Sequence, residues 1–227
     1  MSRIQPSRPF VPSLRSLVAL GLAGLASAVA AYLLVSFVRS ERQENAIATY
    51  AEEIFRSPTS FVAGNPEGDV SVVAFFDYNC PFCRQGAPAL AKLIATDGKV
   101  RLVLKELPVL GKDSEVVARI AQASIPQGKY FELHEKLFAE PGRATKEKVL
   151  RMASELGLDT GKLEKDMQDQ AVEGAIAGNH KLADSLGIEG VPFYLVGDHP
   201  LPESDDLYDK LVAAVADIRK NGCRTKC

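Results

Sequence analysis

Cys80-Pro81-Phe82-Cys83 places two thiols three residues apart, shortly after the apolar run Val70-Ser71-Val72-Val73-Ala74-Phe75-Phe76. The β-branched and aromatic residues of that run predict a strand. Ala87, Leu90, Ala91 and Ile94 then recur at helical spacing, with Pro88 expected to kink the helix. The first thiol therefore falls at a strand-to-helix junction, and the second lies one turn into the helix. Residues three apart share a helix face, so the two sulfurs can close into a disulfide. The positive end of the helix favours a thiolate on the first.

The N-terminus sets the compartment. Residues 17–38 carry no charge over a length that spans a bilayer as a helix. Arg3, Arg8 and Arg15 precede them, which places that side in the cytoplasm and the rest of the chain outside. Ala26-Ser27-Ala28 offers a competing reading, a cleaved signal peptide, but the apolar stretch runs ten residues beyond it to Val38. Either reading exports the remainder to an oxidising space where disulfides persist.

The expected organisation is a cytoplasmic tail (1–16), an anchor (17–38), an amphipathic stalk or linker helix (39–57), a main domain (58–222) and a Cys-containing tail (223–227). In the stalk, Ile47, Tyr50, Ala51, Ile54 and Phe55 form an apolar stripe. Two uses suit that stripe: docking on the domain's own surface, or self-association of copies through residues 41–56. Strands are expected at 60–63, 70–76, 100–106 and 193–196, with a short return strand at 200–201. Between the third and fourth lie helical stretches at 114–125, 130–138, 146–156 and 163–186, and a last helix fits 205–220. Thr145 and Asp159 are N-cap candidates. The fold class is α/β.

The net charge of −2, with aromatics not interleaved among basic patches, gives no argument for nucleic acid. A zinc site would need a second pair of thiols, and Cys223 and Cys227 at the far terminus are the only others. Those two are expected to form a structural disulfide if Asn221-Gly222 ends the helix and turns the tail back. Pro81 and the preceding strand favour redox chemistry at Cys80 and Cys83, with Cys80 the accessible nucleophile and Cys83 the shielded resolving thiol. Pro81 and Phe82 tune the pair by fixing the helix start and removing one amide donor. Glu106, at a strand end, is a candidate to relay a proton from Cys83; the alternative is a surface residue paired with Lys105. Asp77 is expected to cap or turn the loop before Cys80. Arg84 could add positive potential near Cys80. His134, His180 and His199 have no metal spacing and read as structural or surface residues. No motif implies a metal, flavin or nicotinamide.

Asp77-Tyr78-Asn79-Cys80-Pro81-Phe82-Cys83-Arg84, Lys105-Glu106-Leu107-Pro108-Val109-Leu110-Gly111 and Gly190-Val191-Pro192-Phe193-Tyr194 resemble the DsbA-like thiol:disulfide oxidoreductase family over roughly residues 58–220. The resemblance implies a thioredoxin fold with a helical domain inserted at about 112–187. It also implies a cis proline at Pro192 which, with Val191, clamps a substrate strand beside Cys80. The implied function is dithiol–disulfide exchange in exported proteins. The chain would then be single-pass in the inner membrane, facing the periplasm or extracytoplasmic space, with a membrane redox partner that resets the cysteines. A disulfide-donating oxidase is the leading expectation. An isomerase or reductase remains open, as does a non-catalytic peptide-binding or metal-chaperone module.

Overall fold

A computed structural model describes residues 14–224, with side chains from 22 onward. Two compact units divide after Gln43. In the first, helix α1 (Leu14–Thr49) begins, and its Leu22, Leu25, Tyr32, Leu33, Leu34 and Phe37 side chains are all exposed. A helix this apolar, without a buried face of its own, is long enough to cross a membrane.

The second unit is built on a five-stranded sheet of order β1-β3-β2-β4-β5. The strands are β1 (Phe61–Gly64), β2 (Val70–Phe76), β3 (Val100–Glu106), β4 (Phe193–Val196) and β5 (His199–Leu201). β2 pairs parallel with β3, in a register that sets Val72 opposite Leu102 and Phe76 opposite Glu106. β4 runs antiparallel to β2, with Tyr194 opposite Ala74. β1 and β5 add antiparallel edges. β2 is buried at every position, which explains why its sequence is a continuous apolar run without alternation.

Between β2 and β3 lies α3 (Pro81–Thr96). Pro88 sits inside it, and the helix continues to Thr96, since one missing amide removes a single rung. Between β3 and β4 come α4 (Lys112–Ala123), α5 (Tyr130–Ala139), α6 (Lys146–Glu155), α7 (Thr160–Asp166) and α8 (Gln170–Leu186). The expected single helix over 163–186 is thus two. α7 is capped by the Asp159 side chain, which accepts from Lys162 N, and a turn at Met167–Asp169 lets Leu163 and Met167 both be buried. Thr145 caps α6 as expected. α9 (Leu207–Asn221) closes the chain against α3.

The sheet separates two cores. On one face, Val72, Ala74, Phe76, Leu102, Leu104 and Tyr194 meet α3, α9 and the inserted helices. On the other, Val73, Phe75, Val103 and Leu195 meet Leu182 and Leu186 of α8, Ile47, and Ile54 and Phe55 of α2 (Ala51–Phe55). The stalk's apolar stripe is therefore buried against its own domain. That is the docking alternative; the stripe is not left open for self-association through 41–56. The docking is reinforced by Lys105 Nζ, which donates to Glu53 O at 2.7 Å and Ser60 Oγ at 2.8 Å.

Candidate functional site

β2 delivers the chain to Cys80, the N-cap residue of α3, with Pro81 at the first helical position. The loop before it is pinned by Asp77. One carboxylate oxygen accepts from Asn79 N at 2.7 Å, and the other accepts from Val109 N and Leu110 N, each at 2.9 Å. Asp77 thus turns the loop, as its position suggested, and also ties it to the β3–α4 connection. Asn79 fastens the loop to the helical insertion: its Nδ2 donates to Ser114 Oγ and Ala144 O, and its Oδ1 accepts from Ala144 N.

Cys80 and Cys83 are both unpaired and both buried, at 4% and 3% exposure. Cys80 was expected to be the accessible thiol. It is covered because Val191, from the loop before β4, lies over it, and Cys80 Sγ donates to Val191 O at 3.3 Å. The Val191–Pro192 peptide bond is cis. Pro81 and Phe82 are the exposed residues of the motif, Phe82 at 54%, and Val109 and Leu110 add apolar surface on the loop that Asp77 holds. Burial pushes the Cys83 thiol far above its ordinary range.

Glu106 is not a surface residue paired with Lys105. Strand alternation sends the two side chains to opposite faces of the sheet, and both are 1% exposed. Glu106 accepts from Tyr130 OH and Gln122 Nε2, and burial pushes its carboxyl up to about 7. Tyr78 OH lies 3.1 Å from His134 Nδ1. Glu106 does not line the cavity beside Cys83. That cavity, about 10 Å³, is lined by Cys83, His134, Tyr194, Phe76 and Phe138, among others.

Arg84 is held by backbone carbonyls. Its guanidinium donates to the carbonyls of Leu137, Phe138 and Glu140, where α5 ends, and to those of Tyr78 and Gly142. It closes the C-terminus of α5 and the following turn, satisfying carbonyls a helix end leaves open. Cys223 is disulfide-bonded and packs near Gly197, while Cys227 lies outside the described residues.

A family model for the DSBA-like thioredoxin domain matches residues 71–216. The chain belongs to this family. A thioredoxin-like oxidoreductase from Silicibacter pomeroyi DSS-3 is 43% identical, with a TM-score of 0.72, over 74% of this chain and 97% of that one. The probable disulfide bond formation protein D of Bacillus cereus is 25% identical over 68% of this chain and 78% of its own length. The Na(+)/H(+) antiporter NhaA 3 of Salinispora tropica is 31% identical over 137 residues, 60% of this chain. The chain spans only 21% of that antiporter's length. The family is one of thiol-disulfide oxidoreductases with a thioredoxin-like fold, as the three motifs implied.

Asn79, Tyr78, Tyr130 and His134 were not singled out by sequence reasoning as parts of one site. The available signal was weak: His134 shares a helical stripe with Tyr130, Leu133 and Leu137, which marks a core-facing face and nothing chemical.

Proposed function

We propose that the chain is a membrane-tethered thiol:disulfide oxidoreductase that donates disulfides to exported proteins. The observation that carries this reading is the unpaired Cys80–Cys83 couple at the start of α3, with the Val191 carbonyl on Cys80 Sγ. In the oxidised protein, a substrate thiolate attacks Cys80 Sγ and Cys83 leaves as a thiolate that takes up a proton. A second substrate thiolate attacks the mixed disulfide, Cys80 leaves as the thiolate, and two electrons have passed to the protein. The Val191-Pro192 segment offers backbone beside Cys80 where an extended substrate can pair, flanked by the exposed Phe82, Val109 and Leu110. A membrane oxidase then restores the Cys80–Cys83 bond. The apolar helix from Leu22, preceded in sequence by three arginines, supports a single-pass anchor with the domain on the extracytoplasmic side.

Redox titration of the Cys80–Cys83 couple tests the direction. A potential well above thioredoxin's, which is about −270 mV, is expected for a donor. A value near −270 mV, or a couple found reduced in its native compartment, would replace the oxidase with a reductase or isomerase. Cys80→Ser is expected to abolish oxidation of a reduced protein substrate with the fold intact; a variant that keeps the protein's full biological function without that oxidation would favour a binding module.

A further inference from the structure

Behind α3 lies a hollow that the exchange at Cys80 does not use. It opens between α3 and α5 and has a volume of about 220 Å³. The α3 side of it is built from Ala87, Pro88 and Ala91, which are too short to fill the space up to α5. Leu90, Leu102 and Phe138 form a buried floor, Phe131 is a half-buried wall, and Pro88 and Glu135 stand exposed at the mouth. Cys80 and the Val191-Pro192 edge line no part of it. Atoms around such a gap lack contact partners on one side, and an apolar cavity of about 150 Å³ stays dry and takes up benzene.

One buried polar side chain faces this hollow. His134 lines it and is 6% exposed. Its Nδ1 is taken by Tyr78 OH at 3.1 Å, and Tyr78 is not a wall of the hollow, so the ring presents its Nε2 edge there. Nε2 has no hydrogen-bond partner among the described residues. An enclosed polar atom of this kind is costly until something meets it. Burial lowers the imidazole pKa to about 3, so the ring is neutral at pH 7 and shows at Nε2 either a hydrogen or a lone pair. A hydroxyl group suits both cases, because it donates and accepts; a carbonyl or an ammonium suits only one. An anion would meet the Glu135 carboxylate at the mouth, and a cation would have to leave water for an apolar floor. The walls are also flat: His134 stacks on Phe131 with centroids 5.8 Å apart and meets Phe138 edge-on at 5.0 Å. Such faces and edges favour an aromatic occupant.

We infer that this hollow is a binding site for a small neutral phenol, with the aromatic ring between α3 and α5 and the hydroxyl on His134 Nε2. The volume suits one substituted ring or two fused rings. The site goes beyond the exchange reading and does not depend on it. Ala87, Leu90, His134 and Phe138 also wall the small cavity beside Cys83. The bound ring therefore lies one layer of side chains behind the resolving thiol, on the side of α3 away from the substrate edge.

The test titrates the full chain, labelled with nitrogen-15 at histidine and held in lipid nanodiscs, with p-cresol and with p-xylene. The second probe carries a methyl group where the first has its hydroxyl, and empty nanodiscs correct for partition into lipid. p-Cresol should bind with a Kd of about 1 mM or tighter and should move the His134 nitrogen resonances while leaving those of His180 and His199 in place. His134→Phe keeps a flat ring and removes the nitrogen, so the affinity for p-cresol relative to p-xylene should fall about tenfold, the worth of one enclosed hydrogen bond. Ala91→Leu gives a second reading that leaves Tyr78 and His134 untouched. It fills the hollow from α3 and should weaken both probes about tenfold or more, with the rate of Cys80 attack on oxidised glutathione unchanged. An unchanged ratio of the two affinities in His134→Phe overturns the site, as does binding that ignores Ala91→Leu, or p-cresol that leaves the His134 resonances where they were. None of these failures touches the exchange reading, which falls separately if the native chain forms no glutathione adduct at Cys80.

Discussion

Glu106→Gln is expected to stabilise the protein, by an amount that depends on pH. The carboxyl is fully enclosed, and the loss of water raises its pKa from 4.5 to about 7 in the folded chain. A raised acid pKa means that the folded state holds the proton more tightly than the unfolded state between those two values. Stability contributed by this group is therefore complete below 4.5, falls as pH rises through the interval, and is constant above about 7. The gap, at about 1.4 kcal/mol per pH unit, is worth about 3 kcal/mol. Glutamine never ionises, keeps an oxygen for the Tyr130 hydroxyl, and asks only that Gln122 turn its amide over. The variant should thus match the native chain near pH 4.5 and exceed it by up to about 3 kcal/mol above pH 7. For a domain of this size that is a rise in Tm of several degrees. Thermal melting of the reduced chain in detergent across pH 4.5 to 8 measures it. A difference between the two proteins that stays flat with pH would refute the reasoning, whatever its sign.

Two further substitutions probe the scaffold around the thiols. A Cβ at residue 86 would stand 2.2 Å from the Tyr194 hydroxyl and 3.1 Å from Leu207, so Gly86→Ala should cost about 1–3 kcal/mol by denaturant melting, and adding Tyr194→Phe should recover part of it. Arg84→Lys replaces a planar fork serving five carbonyls with a single ammonium; hydrogen exchange over residues 138–143 should accelerate and stability should fall by about 1–3 kcal/mol, whereas unchanged exchange would show that α5 ends securely without the guanidinium.

What the sequence made legible follows from range. β2 and β4 are almost wholly apolar runs, β3 is rich in β-branched and aliphatic residues between turn signals, and the structure places all three at the expected 70–76, 100–106 and 193–196. The Cys80 helix start was legible for the same local reason. The break between α7 and α8 was not, because no Gly or Pro stands at 167–169 and the apolar period carries across it. The contacts of Arg84 and Asn79 were not legible because most of their partners, from Leu137 to Ala144, lie more than fifty residues away on the inserted helices and their loops. His134 belongs to the same class, since its partner Tyr78 is 56 residues upstream. Lys105 and Glu106 are the instructive case. Their adjacency suggested a surface pair, although strand alternation within β3 already required opposite faces.

Those two neighbours also bear on the size of the Glu106 effect. Lys105 anchors α2 through Glu53 O and Ser60 Oγ, and its own burial lowers its pKa to about 8. Each charge raises the stability of the other through the sheet, so the carboxylate at pH 7 is held less unfavourably than it would be alone. As pH approaches 8, Lys105 loses its proton in the folded chain and that support disappears. The native protein then carries the unsupported carboxylate, while the Glu106→Gln variant carries neither charge. The advantage of the variant should therefore not stop growing at about 7, as a lone carboxyl would require. It should continue to grow until Lys105 is neutral, and this tail on the curve is the mark of two buried charges that share a strand and face opposite cores.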